Sequence, residues 1–281
     1  MRIIRLLPLL AALIAAPLAL SAQVSSDPTA NSLGITDRLN AMSADDVKNL
    51  SARAQQGDPE AEFWLGLMYA DGHVVPQDKS RSENLLLQSA EKGYAPAEYR
   101  VGMMFYPKDI PKAEKWLLAA ASHGNAEAQL WLGTAYDQRW FGITDLQEAQ
   151  KWYRKSAEQG QPDAQVSLGM MYEQGVGVPQ DYVAAASWYR KAAEHFPDLG
   201  GAGQGRNHLG LLYLQGLGVP TDYVQAFLWL SVSGNENDRE YVQSLMTPKQ
   251  IEEAVRLTAE WKQRHPQTQE SATVAADSPR Q

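Results

Sequence analysis

The sequence has no cysteine among its 281 residues. This absence excludes disulfides and lipid attachment at a cysteine, and it removes the ligand on which structural zinc sites most often depend. Stability must therefore come from an apolar core, and a body of about 220 residues is long enough to bury most of its apolar surface.

Catalytic motifs are absent too. The five histidines stand in no metal-ligand spacing, and no G-x-S-x-G or P-loop pattern occurs. The run GGAGQG at residues 200–205 lacks the preceding strand that a dinucleotide-binding loop needs, so a flexible insertion is the preferred interpretation. We predict that the protein is not an enzyme and binds neither cofactor nor metal.

Basic residues are in the minority. The chain has 25 Lys and Arg against 33 Asp and Glu, a formal charge of -8, and without Arg2 and Arg5 the balance is 23 against 33, or -10. An acidic surface repels phosphate backbones and anionic lipid heads. Nucleic acid is therefore not an expected partner, and neither is an anionic membrane.

One long apolar run is present, over residues 6–20, and it stands at the N-terminus. Arg2 and Arg5 precede it and the small residues around Ser21 follow it, as in a secretory signal peptide. The run is about 15 residues long, shorter than the roughly 20 that span a bilayer as a helix, so a retained anchor is the weaker alternative. We expect cleavage and export, to the periplasm if the host is Gram-negative, with no stable membrane insertion afterwards.

The chain repeats one phrase. LGMMYEQGVGVPQDYVAAASWYRKAAE at residues 168–194 has a near-copy, LGLLYLQGLGVPTDYVQAFLWLSVSG, at residues 209–234. An aromatic residue follows three positions after the glycine of each Leu-Gly or Val-Gly pair, which recurs at steps of 36, 31, 36 and 41 residues. Periods in this range indicate a repeat architecture. The five glycines are Gly66, Gly102, Gly133, Gly169 and Gly210.

Each copy has the pattern of a helix pair. Ala61, Leu65 and Tyr69 are spaced to lie on one face of a helix, and the glycine beside the leucine allows a neighbouring helix to approach closely. A loop with Gly and Pro follows, then a second helix with its own apolar stripe. One pair is too small to bury its apolar face, so stacked pairs sharing a core, an α-solenoid, are predicted.

The combination of A-x-x-x-L-G-x-x-Y, G-x-G-V-P-x-D and A-x-x-W-Y-x-x-A-A resembles the Sel1-like repeats, which are relatives of tetratricopeptide repeats with a longer loop between the helices. The resemblance implies an all-α fold, a right-handed α-solenoid of about five helix-pair repeats with capping helices at both ends. The predicted organisation is a signal peptide (1–22), a flexible segment (23–40), a capping helix (41–58), five repeats (59–234), a C-terminal capping helix region (235–264) and a disordered tail (265–281).

Three local features are also predicted. A leading helix covers Ala44–Gln56, and a C-terminal helix begins at Thr247 with Pro248 in its first position. The insertion FPDLGGAGQGRN at residues 196–207 forms an extended loop. The residues expected to cover the last repeat are Ile251, Val255 and Leu257.

The resemblance also implies a partner-binding face. The tetratricopeptide pattern, transferred by the matched L-G-x-x-Y positions, places two residues of each first helix on a mostly apolar stripe. This stripe is either a groove for an extended or helical partner segment, or a set of residues that pack between units. The residues are Phe63, Leu67, Tyr99, Met103, Leu130, Thr134, Val166, Met170, Asn207 and Leu211.

Two further sets of side chains have alternative roles. Trp140 lies in the irregular loop of the third unit, where it is either an exposed interface anchor or part of a loop that folds over itself. Methionines on the first helices are interpreted as core residues rather than as metal or ligand contacts. They include Met68, Met103, Met104 and Met170.

The function predicted from these features is that of a non-enzymatic, exported protein-protein interaction module that is a monomer when free. The resemblance to exported Sel1-like proteins suggests a periplasmic immunity protein that neutralises a toxic, phospholipase-type effector of type VI secretion. An envelope assembly or signalling scaffold is the alternative. A β-lactamase-like hydrolase is more remote, because the chain lacks the cysteines of such enzymes.

Overall fold

The computed structural model describes residues 33–266 except 73, 141, 143 and 196–199. This part of the chain is helical and contains no strand. The predicted signal peptide, residues 23–32 and the tail after residue 266 lie outside the described residues. The chain divides into two compact units, one ending at Leu85 and the other beginning at Leu86.

The first unit contains three complete helices and the beginning of a fourth. Ser43 caps the second of these helices in a capping box with Asp46, and this helix packs on the third. The helices are α1 (Leu33–Asn40), α2 (Ala44–Gln55), α3 (Pro59–Asp71) and α4 (Lys79–Glu91).

For residues 33–40, helix α1 corrects the prediction of a flexible segment over residues 23–40. The guanidinium of Arg38 lies 4.2 Å from the centre of the Trp64 ring and 3.5 Å from a carboxylate oxygen of Glu60, both on α3. A cation over an aromatic face is stabilised by the ring quadrupole. The contacts that hold α1 join residues far apart in the sequence, so they leave no local pattern. For this reason the composition of the segment suggested a tether.

The second unit contains four complete helix pairs followed by two more helices. Each pair packs internally, and each second helix packs on the first helix of the next pair, which confirms the predicted α-solenoid. The helices are α5 (Ala95–Phe105), α6 (Ile110–Ser122), α7 (Ala126–Asp137), α8 (Leu146–Glu158), α9 (Pro162–Gln174), α10 (Tyr182–Ala193), α11 (Ala202–Gln215), α12 (Tyr223–Ser233), α13 (Glu236–Ser244) and α14 (Pro248–Arg264).

In each helix pair of the second unit, a glycine on the first helix packs against a side chain of the second helix. A Cβ built on Gly169 would lie 2.6 Å from the Tyr189 ring, and one on Gly133 would lie 2.5 Å from the Tyr153 ring. The second and fifth repeats place a leucine against the glycine in the same way. Since carbon atoms in contact are normally about 3.5–4.0 Å apart, no larger residue fits unless the packed side chain or its helix moves. The predicted close approach is confirmed.

An aspartate closes the loop between the two helices of every repeat. The backbone N–H of Asp181 donates to the carbonyl of Tyr172 at 2.8 Å, and its carboxylate accepts from the N–H of Ala184. The shortened second repeat lacks the glycine loop, yet Asp109 makes the equivalent backbone bond to Phe105. A carboxylate at this N-cap position satisfies backbone donors that the helix leaves unpaired. The other closing residues are Asp78, Asp145 and Asp222.

The second glycine of the G-x-G-V-P loop joins neighbouring repeats. A Cβ on Gly218 would lie 2.1 Å from the carbonyl oxygen of Tyr182, at the start of the preceding repeat's second helix. Gly177 approaches the carbonyl of Leu146 in the same way. The first repeat has Val74 at this position. The second glycine of the loop therefore occurs in repeats where the backbone of the preceding repeat lies against the loop.

Buried polar residues connect the second helix of one repeat to the first helix of the next. Each lies four residues before the helix glycine, and its side chain donates to a carbonyl in the last turn of the preceding second helix, which would otherwise lack a partner. The three bonds run from Gln129 to Ala121 at 3.0 Å, from Gln165 to Ala157 at 3.1 Å and from Arg206 to Ala193 at 3.0 Å.

The predicted extended loop over residues 196–207 is wrong from Ala202 onward. Residues 202–207 form the first turns of α11, and residues 196–199 lie outside the described part. Gly205 packs against Ala192, and Arg206 is 1% exposed. These contacts with α10 hold a glycine-rich segment as helix despite its weak intrinsic propensity.

The C-terminal helix α14 begins as predicted, with Thr247 as N-cap and Pro248 in the first position. Of the three residues expected to cover the last repeat, Ile251 and Leu257 are half-buried, but Val255 is 53% exposed and does not contribute. The residues that α14 buries are Ala254, Thr258 and Trp261. Small residues in this stripe allow α14 to approach α12.

Helix α14 ends at Arg264, the predicted end of the C-terminal helix region, and His265 caps it. The His265 ring stacks on Trp261 with centroids 4.1 Å apart, so the predicted tail begins too early. Arg206 also lies over the Trp261 ring, with its guanidinium 4.6 Å from the ring centre. Helix α13, between α12 and α14, was not predicted.

We expect Gly169→Ala to lower the free energy of unfolding by about 1–3 kcal/mol, because the new methyl group overlaps the Tyr189 ring. Gly203→Ala is the matched control, since it also adds a methyl group to a helix but meets no atom within 4 Å. This control should be neutral or stabilising by up to about 1 kcal/mol. Urea denaturation of both variants checks the expectation, and equal losses would contradict it.

Candidate partner-binding surface

Four of the predicted partner-binding residues are buried. Phe63 is 1% exposed and Val166 is 1% exposed, and a partner could not contact such side chains in this structure. These residues pack within the fold, which was the alternative interpretation of the stripe. The four residues are Phe63 and Leu67 in the first unit, and Thr134 and Val166 in the second.

Six others are half-buried on the first helices of the second unit. Burial raises the pKa of the Tyr99 hydroxyl to about 12, and Glu127 on the next first helix adds to this effect. Asn207 accepts a hydrogen bond at 2.7 Å from Asn235, the N-cap of α13, so this amide also serves the fold. The six residues are Tyr99, Met103, Leu130, Met170, Asn207 and Leu211.

Trp140 belongs to an aromatic cluster. Its ring lies 4.8 Å from that of Trp131 and 5.9 Å from that of Tyr106, measured between centroids. Trp131 is buried, and Trp140 is half-buried against it. The loop of the third repeat therefore folds back onto the first helices, and Trp140 is not an isolated exposed anchor.

A carboxylate-tyrosine pair in the third repeat was missed by the sequence reasoning. The Tyr153 hydroxyl lies 3.3 Å from Thr134 Oγ1 and also interacts with the side chains of Asp137 and Ser167. Burial raises the pKa of Asp137 above its ordinary value, and the hydrogen bond from Tyr153 offsets only part of this shift. The ionised carboxylate is therefore held in a partly desolvated position.

The fourth repeat has the equivalent pair with a histidine added. The Tyr189 hydroxyl donates to Glu173 at 2.5 Å, and His208 Nδ1 lies 3.4 Å from the same carboxylate oxygen. The rings of Tyr189 and His208 are stacked with centroids 4.6 Å apart. Burial raises the pKa of Glu173, but the hydrogen bonds from His208 and Tyr189 outweigh it, and the pKa lies below its ordinary value.

A sequence signal for these pairs exists. Where the residue packed on the helix glycine is tyrosine, an acidic residue stands four positions after the glycine, as in Asp137 and Glu173. Where that residue is leucine, as in the second and fifth repeats, the position is Tyr106 or Leu214. The buried hydroxyl needs a hydrogen-bond partner and leucine does not, which explains the pairing.

We define the first-helix face as a set of seven half-buried side chains on α5, α7, α9 and α11. It combines an apolar row with two carboxylates, which stand about two turns beyond Leu130 on α7 and about one turn beyond Met170 on α9. Its members are Tyr99, Met103, Leu130, Met170, Leu211, Asp137 and Glu173.

A comparison with known proteins identifies the repeat. Five consecutive segments, which together cover more than half of the chain, match the family described as Sel1 repeat: residues 59–94, 95–125, 126–161, 162–195 and 204–238. The chain belongs to the Sel1 repeat family.

Two crystal structures show the same fold. A Sel1 repeat protein from Oxalobacter formigenes is 26% identical, with a TM-score of 0.61 over 72% of this chain and 82% of that one. The structure of c5321, a protective antigen present in uropathogenic Escherichia coli strains, is 28% identical, with a TM-score of 0.53 over 84% of this chain and 59% of that one.

A curated relative is the uncharacterized protein NMB1327 of Neisseria meningitidis, 33% identical over 85 residues. The match covers 30% of this chain and 18% of that protein, so the chain spans under a fifth of the relative's length. The similarity thus concerns the Sel1 repeats alone.

Membership of the Sel1 family indicates the general type of function. Sel1 repeats are a protein-interaction fold and are generally non-enzymatic. Among the described residues, no group of three or more His, Asp or Glu side chains is placed to hold a metal ion. No described helix is both long enough and apolar enough to cross a membrane.

Open clefts lie at the loop edge of the Sel1 repeats. One cleft has a volume of about 560 Å³ and is lined by Tyr172, Pro179, the 66%-exposed Val183 and Gly218 of the next loop. A smaller, polar cleft of about 350 Å³ is lined by His208 among other residues and so borders the Glu173 end of the first-helix face. The sequence reasoning had identified neither.

We expect Asp137→Asn to be at least as stable as the wild type at pH 7. The folded-state pKa of Asp137 is raised, so its ionised form weakens the fold above that pKa, and this penalty disappears as the pH falls below the unfolded value of about 3.9. The amide carries no charge and avoids the penalty at every pH. Urea denaturation at pH 7 and pH 3.5 should show the advantage of Asp137→Asn only at pH 7.

Tyr153→Phe provides the control, because it removes the hydroxyl whose hydrogen bond partly offsets the desolvation of the Asp137 carboxylate. The advantage of Asp137→Asn should be larger in the Tyr153→Phe background than in the wild type. An advantage that is independent of pH, or smaller in that background, would show that desolvation of Asp137 is not its cause.

Proposed function

We propose that this chain is an exported protein-binding module that holds a segment of its partner on the first-helix face. The observation that carries the proposal is the apolar row of that face. Tyr99, Met103, Leu130, Met170 and Leu211 are half-buried in four successive repeats, and each keeps part of its side chain accessible. A row of this kind fits an extended or helical segment that contacts one repeat after another.

The finer proposal is a periplasmic immunity protein whose partner is a toxic, phospholipase-type effector of type VI secretion. The predicted signal peptide supports export, and the net charge of -8 is complementary to a basic toxin. An envelope assembly or signalling scaffold is the second candidate, favoured by the protein-interaction fold alone.

We expect Tyr99→Ala combined with Met103→Ala to weaken capture of the partner at least about tenfold, since each truncation of an interface anchor commonly costs more than about 1 kcal/mol. The measurement is affinity purification of the tagged protein from its own envelope fraction, quantified by mass spectrometry.

Val183→Ala is the matched control, because Val183 is an exposed apolar side chain at the start of α10, outside the first-helix face. It should leave capture unchanged. Circular dichroism must show that the double variant is folded, and Met103→Ala alone should give part of the loss. Full capture by a folded double variant would place the binding site elsewhere.

The immunity proposal is tested by co-expression in the periplasm with effector genes encoded next to this one. Full-length protein should restore growth that a phospholipase-type effector abolishes, and the Tyr99→Ala, Met103→Ala variant should not. Failure to protect against every neighbouring effector would refute the immunity proposal. Recovery of several assembly proteins in the purification would favour the scaffold.

A further inference from the structure

Charges are sorted between the two helices of each repeat in the second unit. The first helices α5, α7, α9 and α11 contain no lysine, and their two arginines, Arg100 and Arg206, are 7% and 1% exposed. Glu98 is buried too, against His123 at 2.7 Å. The partly exposed charged residues on these four helices are all acidic: Glu127, Asp137, Asp163 and Glu173.

The basic residues lie on the second helices instead. The side chains of Lys112 and Lys151 are 61% and 60% exposed. Lys155 and Lys191 extend over the tryptophans of their own helices, with the amino group 4.2 Å and 3.9 Å from the ring centre. The first helices of the second unit therefore present only acidic charge, whereas the second helices present both signs.

Asp137 and Glu173 occupy equivalent positions in successive repeats, four residues after the helix glycine. Each is held by a tyrosine of its own second helix, so the two carboxylates are fixed rather than free to turn into solvent. The repeats on either side place Tyr106 and Leu214 at this position. Along the face, an aromatic residue comes first, then two acids, then an aliphatic residue.

Asp137 has no cationic partner among the described residues. Arg139, two positions further on, directs its Nε to the carbonyl of Gly142 at 3.0 Å. Glu173, by contrast, has His208 beside it. A partly desolvated carboxylate without a counter-charge is stabilised when a cation is brought to it, and a guanidinium can do this with two hydrogen bonds.

Building on the proposed function, we infer that the partner segment is basic, and that it presents arginine or lysine side chains to Asp137 and Glu173 while its apolar side chains contact the row from Tyr99 to Leu211. Complementary charge of this kind selects the partner and accelerates the encounter. Acidic segments, nucleic acid and anionic lipid are repelled from the same face.

The test uses two fluorescein-labelled peptides, four repeats of Arg-Ser-Leu and four repeats of Glu-Ser-Leu, with fluorescence anisotropy as the readout. The basic peptide should bind the wild-type protein, more weakly as salt is raised, and the acidic peptide should not. Asp137→Lys and Glu173→Lys should each weaken binding of the basic peptide about tenfold, because a like charge then faces the ligand.

Glu158→Lys is the matched control, since it makes the same charge change at an exposed position of α8 on the second helices. It should leave binding unchanged. Circular dichroism checks the folding of each variant, and Asp137→Asn, which keeps an acceptor for Tyr153, should give a smaller loss than Asp137→Lys.

Three results would overturn the inference: no binding of the basic peptide, equal binding of the acidic one, or an equal loss in Glu158→Lys. If any of these occurred while capture of the partner still depended on Tyr99 and Met103, the proposed function would stand and only the basic character of the partner would be rejected. Loss of that dependence would reject the proposed function itself.

Discussion

The contact between a glycine of the first helix and the side chain packed on it from the second helix determines the spacing of each pair in the second unit. With Tyr189 on Gly169, the ring occupies the volume that any larger residue would need. A buried tyrosine brings a hydroxyl that must find a partner. Glu173 supplies it at 2.5 Å, so a carboxylate on the first-helix face follows from a packing requirement beneath it.

Stacking of one repeat on the next depends on backbone groups as much as on apolar area. Asp181 joins the end of a first helix to the start of its second helix, and Gly218 lets the following loop approach the carbonyl of Tyr182. Gln165 donates to the last turn of α8. The hydrogen bonds of Asp181 and Gln165 satisfy groups at helix ends that would otherwise be left without a partner, so they join successive helices through the backbone.

The first helices of the second unit serve two purposes. Buried residues on these helices, such as Val166, hold neighbouring repeats together, while members of the first-helix face, such as Met170, keep accessible surface. Because α5, α7, α9 and α11 contain no lysine and their two arginines, Arg100 and Arg206, are buried, the face keeps a negative charge that the interior packing does not neutralise. Apolar contact and charge are thus offered together, the combination that gives protein interfaces affinity and selectivity.

The helix pairs, their order and the start of α14 at Thr247 followed from the sequence by itself, because periodicity, N-caps and loop glycines act over a few residues. Contacts between distant residues were decided by the tertiary structure alone. Helix α1 is held by Arg38 on Trp64, the start of α11 by Arg206 on α10, and Trp140 by Trp131. The same holds for the site. The stripe was predicted from the sequence, but the sequence did not show which of its residues are buried or that Asp137 meets Tyr153. Both depend on how closely the two helices of a pair, and the next repeat, pack together, and no local sequence pattern encodes that spacing.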